Sequence, residues 1–275
     1  MSFSVSGKTA IVTGAANGLG LAIARHLVDK GANVMFADID EARLEAEVGD
    51  EARAEGPVRM FAGDLTQKLT IVNLLSATHE AFDKVDILVN ASRRALRADA
   101  MNPEEDGVEA MWQQNVMTAL RMTQMTAKRM IQTAERNGTA GGGTERGAVI
   151  GSIINLSSIA SSRVQPRLLA YSMAAAAIEQ MTRTMAVVLA PQGIRVNAVS
   201  FGSMMSASLQ AVLKEEPELR GRITAGTPLG RIAGPDELAE TVQYLASDAS
   251  SFVTGQVIPV DGGRGLLDVV AAPVF

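Results

Sequence analysis

A doubly wound parallel α/β sheet is the fold class this sequence predicts, and three observations predict it. Short runs rich in Val and Ile alternate with longer helix-period segments along the 275-residue chain. The runs are apolar throughout rather than on alternate residues, as strands covered on both faces require. The first run leads straight into a glycine-rich turn that opens a helix.

In order, "KTAIVT" (8–13), "NVMFAD" (33–38), "VRMFAG" (58–63), "VDILVN" (85–90), "AVIGSIINLS" (148–157), "IRVNAVS" (194–200) and "QVIPVD" (256–261) read as strands. Helical patterns fill 18–30, 41–55, 67–83, 104–136, 168–190 and 235–247. This alternation predicts one sheet of about seven strands with helices on both faces, in a single domain over 1–275. Two segments break the rhythm. "NGTAGGGTERG" (137–147) has no apolar anchor and reads as a surface loop. Residues 201–230, after the sixth strand, are long for a plain connection. Ligands in such sheets sit beyond the strands' carboxyl ends, so this excursion is expected to be a substrate lid.

Composition narrows the chemistry. Formal net charge is -5 with no run of Lys/Arg, which argues against a nucleic-acid surface. There is no cysteine, so disulfides and thiolate chemistry are excluded. His26 and His79 lie on helix patterns away from other ligand types, and no metal site is expected. No apolar run reaches the length of a membrane span, and "MSFSVSGKTAIVTG" lacks a signal segment. A cytoplasmic protein is expected.

The turn "TGAANGLG" places Gly14, Gly18 and Gly20 between strand and helix. Glycines there permit a sharp turn and let backbone N–H groups approach a pyrophosphate. Asp38, at the end of the second strand, offers a carboxylate to the adenosine ribose hydroxyls and repels a 2'-phosphate. Neither Asn17 nor the two positions after Asp38 supplies a compensating cation, so NAD is expected over NADP.

The G-x-x-x-G-x-G spacing resembles the classical short-chain dehydrogenase/reductase family, with its Rossmann-type fold, and the likeness runs from about residue 6 to 264. "GDLT" (63–66) resembles the adenine-pocket segment, with Asp64 and Leu65. "WQQNV" (112–116) places Asn115 as the family's active-site asparagine. "INLSS" (154–158) and Tyr171 match its serine–tyrosine pair, Ser158 lying thirteen residues before the tyrosine. The resemblance implies catalytic roles for Asn115, Ser158 and Tyr171. It also implies cofactor contacts from Gly14, Asn17, Gly18, Leu19, Gly20, Asp38, Asp64, Leu65, Asn90, Gly202 and Met204. A small alcohol or carbonyl substrate and a homodimer or homotetramer are implied as well.

Three departures gather at the site. The family's lysine, four residues after the tyrosine, is Ala175. "LVNASRRA" (88–95) replaces N-N-A-G, so the small glycine position falls on Arg93 or, with a one-residue gap, on Ser92. Phe201 stands where the family has proline. An unassisted tyrosine titrates near 10, so only about one in a thousand is phenolate at neutral pH. Bringing such a group to neutrality takes about 4 kcal/mol of differential stabilisation, none of which alanine supplies. Arg93 and Arg94 read as solvated loop residues, or as cations acting on the pyrophosphate or on Tyr171. Three functions stay open: an NAD(H)-dependent oxidoreductase, a dinucleotide-binding regulatory or assembly partner without turnover, and a non-redox acid–base enzyme.

Overall fold

The computed structural model describes residues 2–138 and 149–268. Its centre is a seven-stranded sheet, every pairing parallel, in the order β3-β2-β1-β4-β5-β6-β7. The strands are β1 (Thr9–Thr13), β2 (Asn33–Asp38), β3 (Val58–Ala62), β4 (Ile87–Asn90), β5 (Gly151–Ser158), β6 (Ile194–Phe201) and β7 (Val257–Val260). The expected strands agree to within a few residues. The glycine-rich 137–147 segment lies, from residue 139 on, outside the described residues.

Successive strand side chains go to opposite faces, and the core divides accordingly. Val12, Phe36, Val89 and Ile154 pack with α1 (Gly18–Asp29), α2 (Glu41–Arg53) and α9 (Pro235–Ala246). Ile11, Met35, Leu88 and Ile153 pack with α3 (Lys68–Phe82), α5 (Thr118–Arg136) and α6 (Leu169–Leu189). The continuous apolar runs therefore serve two buried faces. A bidentate pair from Arg231 to Glu237, at 2.6 Å on both contacts, secures the start of α9.

The expected helix 104–136 is corrected: it starts only at α4 (Val108–Met111), passes through a π-helical turn at Trp112–Met117, and continues as α5. Before it, Asp99, Asn102 and Asp106 accept the backbone N–H of Met101, Glu104 and Val108 at 2.8–3.2 Å. Such local bonds compete with helix formation and hold the chain in turns. In the π turn the Thr118 hydroxyl donates to the Gln113 carbonyl, five residues back. Within 201–230 lie two helices, α7 (Ala207–Glu215) and α8 (Glu218–Ala225).

At the β1–α1 turn, backbone meets backbone. Gly14 has φ +69°, and a Cβ there would lie 2.8 Å from Ser92 Cα. A Cβ on Gly20 would lie 2.0 Å from the Gly14 carbonyl oxygen, whereas one on Gly18 would meet nothing within 4 Å. Gly18→Ala should cost about 1–2 kcal/mol, from its left-handed φ of +57° alone. Gly20→Ala must displace the turn, and its melting temperature should fall further than that of Gly18→Ala. Equal losses in thermal unfolding would show that the close approach at Gly20 carries no cost of its own.

Candidate active site

The order of strands reverses between β1 and β4, so a crevice opens beyond their carboxyl ends. Its first wall is the glycine turn. The helix behind it, α1, has Asn17 at its capping position, exposed and making no side-chain capping bond. A helix amino terminus of this kind favours an anion, and the direction a Gly18 side chain would take is open. Leu19 and Gly20 are buried beneath it, Leu19 in the core.

Asp38 closes the far side. Its carboxylate accepts Ala16 N–H at 3.0 Å and Asp40 N–H at 3.1 Å, which leaves acceptor capacity for a diol. Asp38 lines a small hollow with Gly63, Asp64, Leu65, Thr66, Ser92, Gln114 and Thr118, none of them cationic. The Asp64 carboxyl is held below the ordinary carboxylate range, first by the Thr66 hydroxyl and then by the Thr66 N–H. Leu65 is buried against the α3 side of the sheet. Turn, open helix end and acidic rim together fit a dinucleotide.

The second wall carries the expected serine–tyrosine pair. Ser158 ends β5 and Tyr171 sits in the first turn of α6, each 8% exposed. Both line one cleft of about 470 Å³. Leu168, Leu209, Leu219 and Ile223 give it an apolar side, the last three from α7 and α8, and Arg163, Arg264 and Asp268 are its charged groups. Ser158 Oγ accepts the Ala160 N–H at 3.2 Å, so its proton stays available to donate. Ala175, one turn beyond Tyr171, is 3% exposed, and its carbonyl accepts from the Ser157 hydroxyl.

A cation reaches Tyr171 from another element. Arg93, on the loop after β4, donates from Nη1 to the Tyr171 hydroxyl oxygen at 2.5 Å. Its guanidinium carbon also lies 4.0 Å from the centre of the Phe201 ring. A cation over an aromatic face gains about 0.5–2 kcal/mol. Arg94 is exposed as a solvated loop residue would be; Arg93 is not.

The remaining expected residues divide by environment. Asn115, 3% exposed in the π turn, accepts Arg94 N–H at 2.9 Å and donates to the Arg94 carbonyl at 2.8 Å. Asn90 donates to Asn155 at 2.8 Å and to Thr123 at 3.2 Å, and Asn155 donates on to Thr182. The Asn90 side chain is thus part of a buried polar ladder across β4, β5 and α6. Gly202 lies on the cleft beside Ser203, while the Met204 side chain belongs to the core. Sequence reasoning missed the stack of Arg93 on Phe201 and the Arg264–Ser203 contact at 2.7 Å, which no local spacing signals. It also missed Glu179, whose carboxylate accepts from Ser157 and Ser161. Among the described residues no cluster of ligating side chains suits a metal ion, and no helix is long and apolar enough to cross a membrane.

This geometry has relatives. Residues 14–264 match the family model described as enoyl-(acyl carrier protein) reductase. A short-chain dehydrogenase/reductase of Aspergillus oryzae is 35% identical, over 96% of this chain and 97% of its own. An NAD-dependent glycerol dehydrogenase of Listeria innocua is 32% identical, over 95% of each chain. Among solved structures, a gluconate 5-dehydrogenase from Burkholderia cenocepacia, in complex with NADP and tartrate, superposes with a TM-score of 0.83 at 27% identity. That match covers 97% of this chain and 98% of the other. With its glycine turn, its seven-stranded parallel sheet and its serine–tyrosine cleft, this chain belongs to the short-chain dehydrogenase/reductase family of oxidoreductases.

Proposed function

We propose that this protein is an NAD(H)-preferring oxidoreductase that interconverts a small alcohol and its ketone. The observation that carries the reading is the convergence of Ser158 and Tyr171 on one cleft, with the loop that packs Ser92 against Gly14 reaching the tyrosine through Arg93. The nicotinamide, when bound, supplies the hydride acceptor or donor. Gly14, Asn17, Gly18, Leu19 and Gly20 would frame the pyrophosphate, and Asp38, Asp64 and Leu65 the adenosine half. Asn90, Gly202 and Met204 would border the nicotinamide half, Met204 through its backbone. Ser158 donates a hydrogen bond to the substrate oxygen, and Tyr171 exchanges the proton with it. Asn115 holds the Arg94 backbone, and through it the loop that presents Arg93.

The α7–α8 segment acts as the lid, its Leu209, Leu219 and Ile223 closing the cleft over the apolar part of the substrate. A homodimer or homotetramer is supported by exposed apolar side chains on α6: Met173, Val187 and Val188 are 45%, 76% and 59% exposed.

Cofactor choice rests on Asp38 and the absence of Lys or Arg from its hollow. In calorimetric titration NAD should bind at least about tenfold tighter than NADP, roughly 1.4 kcal/mol. Asp38→Ala should narrow the gap chiefly by improving NADP. Equal affinities in the native protein would mean that the carboxylate does not meet the ribose.

Turnover is followed by consumption of reduced nicotinamide with a panel of ketones, aldehydes and oxo acids. Tyr171→Phe should lower it at least about 100-fold, the range of a lost general acid, with cofactor affinity little changed. Ser158→Ala should act in the same direction. Full activity in Tyr171→Phe would make the tyrosine a packing residue and end this reading.

A further inference from the structure

We infer that Arg93 is the residue that makes Tyr171 a usable proton acceptor, a cation delivered from the loop after β4 rather than from the tyrosine's own helix. The inference rests on the oxidoreductase reading for its use, but its geometry stands alone.

Four observations carry it. Arg93 Nη1 donates directly to the Tyr171 hydroxyl oxygen, so the guanidinium charge sits against the phenol oxygen itself. The guanidinium is fixed from below by the Phe201 ring at 4.0 Å, so the contact is not that of a free side chain. The loop beneath it is fixed too: Asn115 holds both backbone groups of Arg94, and Ser92 N–H donates to Thr13 Oγ1 at 3.0 Å. Finally, α6 itself offers no cation one turn from the tyrosine, because that position is the buried Ala175.

Other charged groups do not take this place. Arg264 donates to Ser203 Oγ at 2.7 Å, and Arg163 and Asp268 line the cleft with it. On α6, the Glu179 carboxylate is taken up by Ser157, Ser161 and Arg183.

The chemistry balances simply. In oxidation the substrate O–H proton would pass to the Tyr171 phenolate oxygen, and a bound nicotinamide would take up the carbinol hydrogen as hydride. Reduction returns both. Arg93 keeps its proton throughout, since a guanidinium does not give one up in a protein. It supplies charge, and the proton held by Tyr171 exits to water through the cleft.

The test needs no substrate, because the chain has two tyrosines, Tyr171 and Tyr244. The tyrosinate absorbance of Tyr171 is obtained as a function of pH by subtracting the Tyr171→Phe variant from each protein. On the rising limb, native protein should show at least about tenfold more Tyr171 tyrosinate than Arg93→Met at the same pH, the effect expected of losing a contacting cation. Arg93→Lys should recover part of the signal, as should Arg93→Met combined with Ala175→Lys, which returns a cation one helical turn from the phenol. Superimposable curves for native and Arg93→Met proteins would overturn the inference, as would failure of both rescues in proteins whose circular dichroism is native. Calorimetry with NAD and NADH is run in parallel: absent cofactor binding would sink the oxidoreductase reading while leaving the tyrosinate result to decide the role of Arg93.

Discussion

Everything at this site hangs on one backbone contact, where the end of β1 meets the end of β4. Thr13 Oγ1 accepts the N–H of Ala91 at 3.1 Å and of Ser92 at 3.0 Å, and Gly14 has no Cβ because Ser92 Cα occupies that space. These are adjacent strands in the sheet but distant in sequence, and they flank the point where strand order reverses. On one side of the contact the chain turns through Gly18 and Gly20 to make an anion-favouring helix start. On the other it runs into Arg93. The glycine turn and the loop that carries Arg93 are therefore mounted on the same joint, which a side chain at Gly14 would force apart.

The joint alone does not aim Arg93. Asn115 does so from the π turn. A helix continuing with regular α geometry through residues 112–117 would present residue 115 at a different angle. The extra residue in the turn sends its amide to both backbone groups of Arg94. π turns commonly mark functional positions, because a locally weaker helix persists only where something else compensates. Here the compensation is a two-point clamp on a loop that is also held at Thr13 Oγ1 by the N–H of Ala91 and Ser92, and at the Arg167 carbonyl by Ala98 N–H at 3.0 Å.

How much of this the sequence disclosed follows from the range of each interaction. Strands were legible because burial on both faces writes a continuous apolar run, and the glycine turn because it joins strand to helix within a few residues. Ser158 and Tyr171 were legible as a spaced pair in a recognisable setting. The start of the helix carrying Asn115 was misjudged, since the Asx-type turns at Asp99, Asn102 and Asp106 compete with helix using residues that helices also tolerate. Arg93 stayed open between a solvated loop residue and a cation acting on Tyr171, for a different reason. Its partner is 78 residues away, and its aromatic floor is at the end of yet another strand. Arg93, Ala175 and Phe201 looked like three separate departures at one site. In the folded chain Arg93 and Phe201 are one contact, directed at the tyrosine that Ala175 leaves without a helix-borne cation.

Moving the cation from helix to loop changes more than its origin. A lysine four residues after Tyr171 would stand on the same helical face as the phenol, placed to serve ribose and tyrosine together. Arg93 approaches from the β4 side, flat on Phe201, with its hydrogen bond directed at the phenol oxygen. The proposed arrangement separates charge supply from ribose binding, and a dinucleotide would then be held chiefly at its other end, by the helix start and by Asp38. Proton traffic changes as well, because a guanidinium cannot pass a proton along as an amine can. With Arg93 in the proposed role, the proton on Tyr171 would leave through the cleft that Leu209, Leu219 and Ile223 of α7 and α8 line, so the proposed lid after β6 and the arginine after β4 would answer to the same constraint.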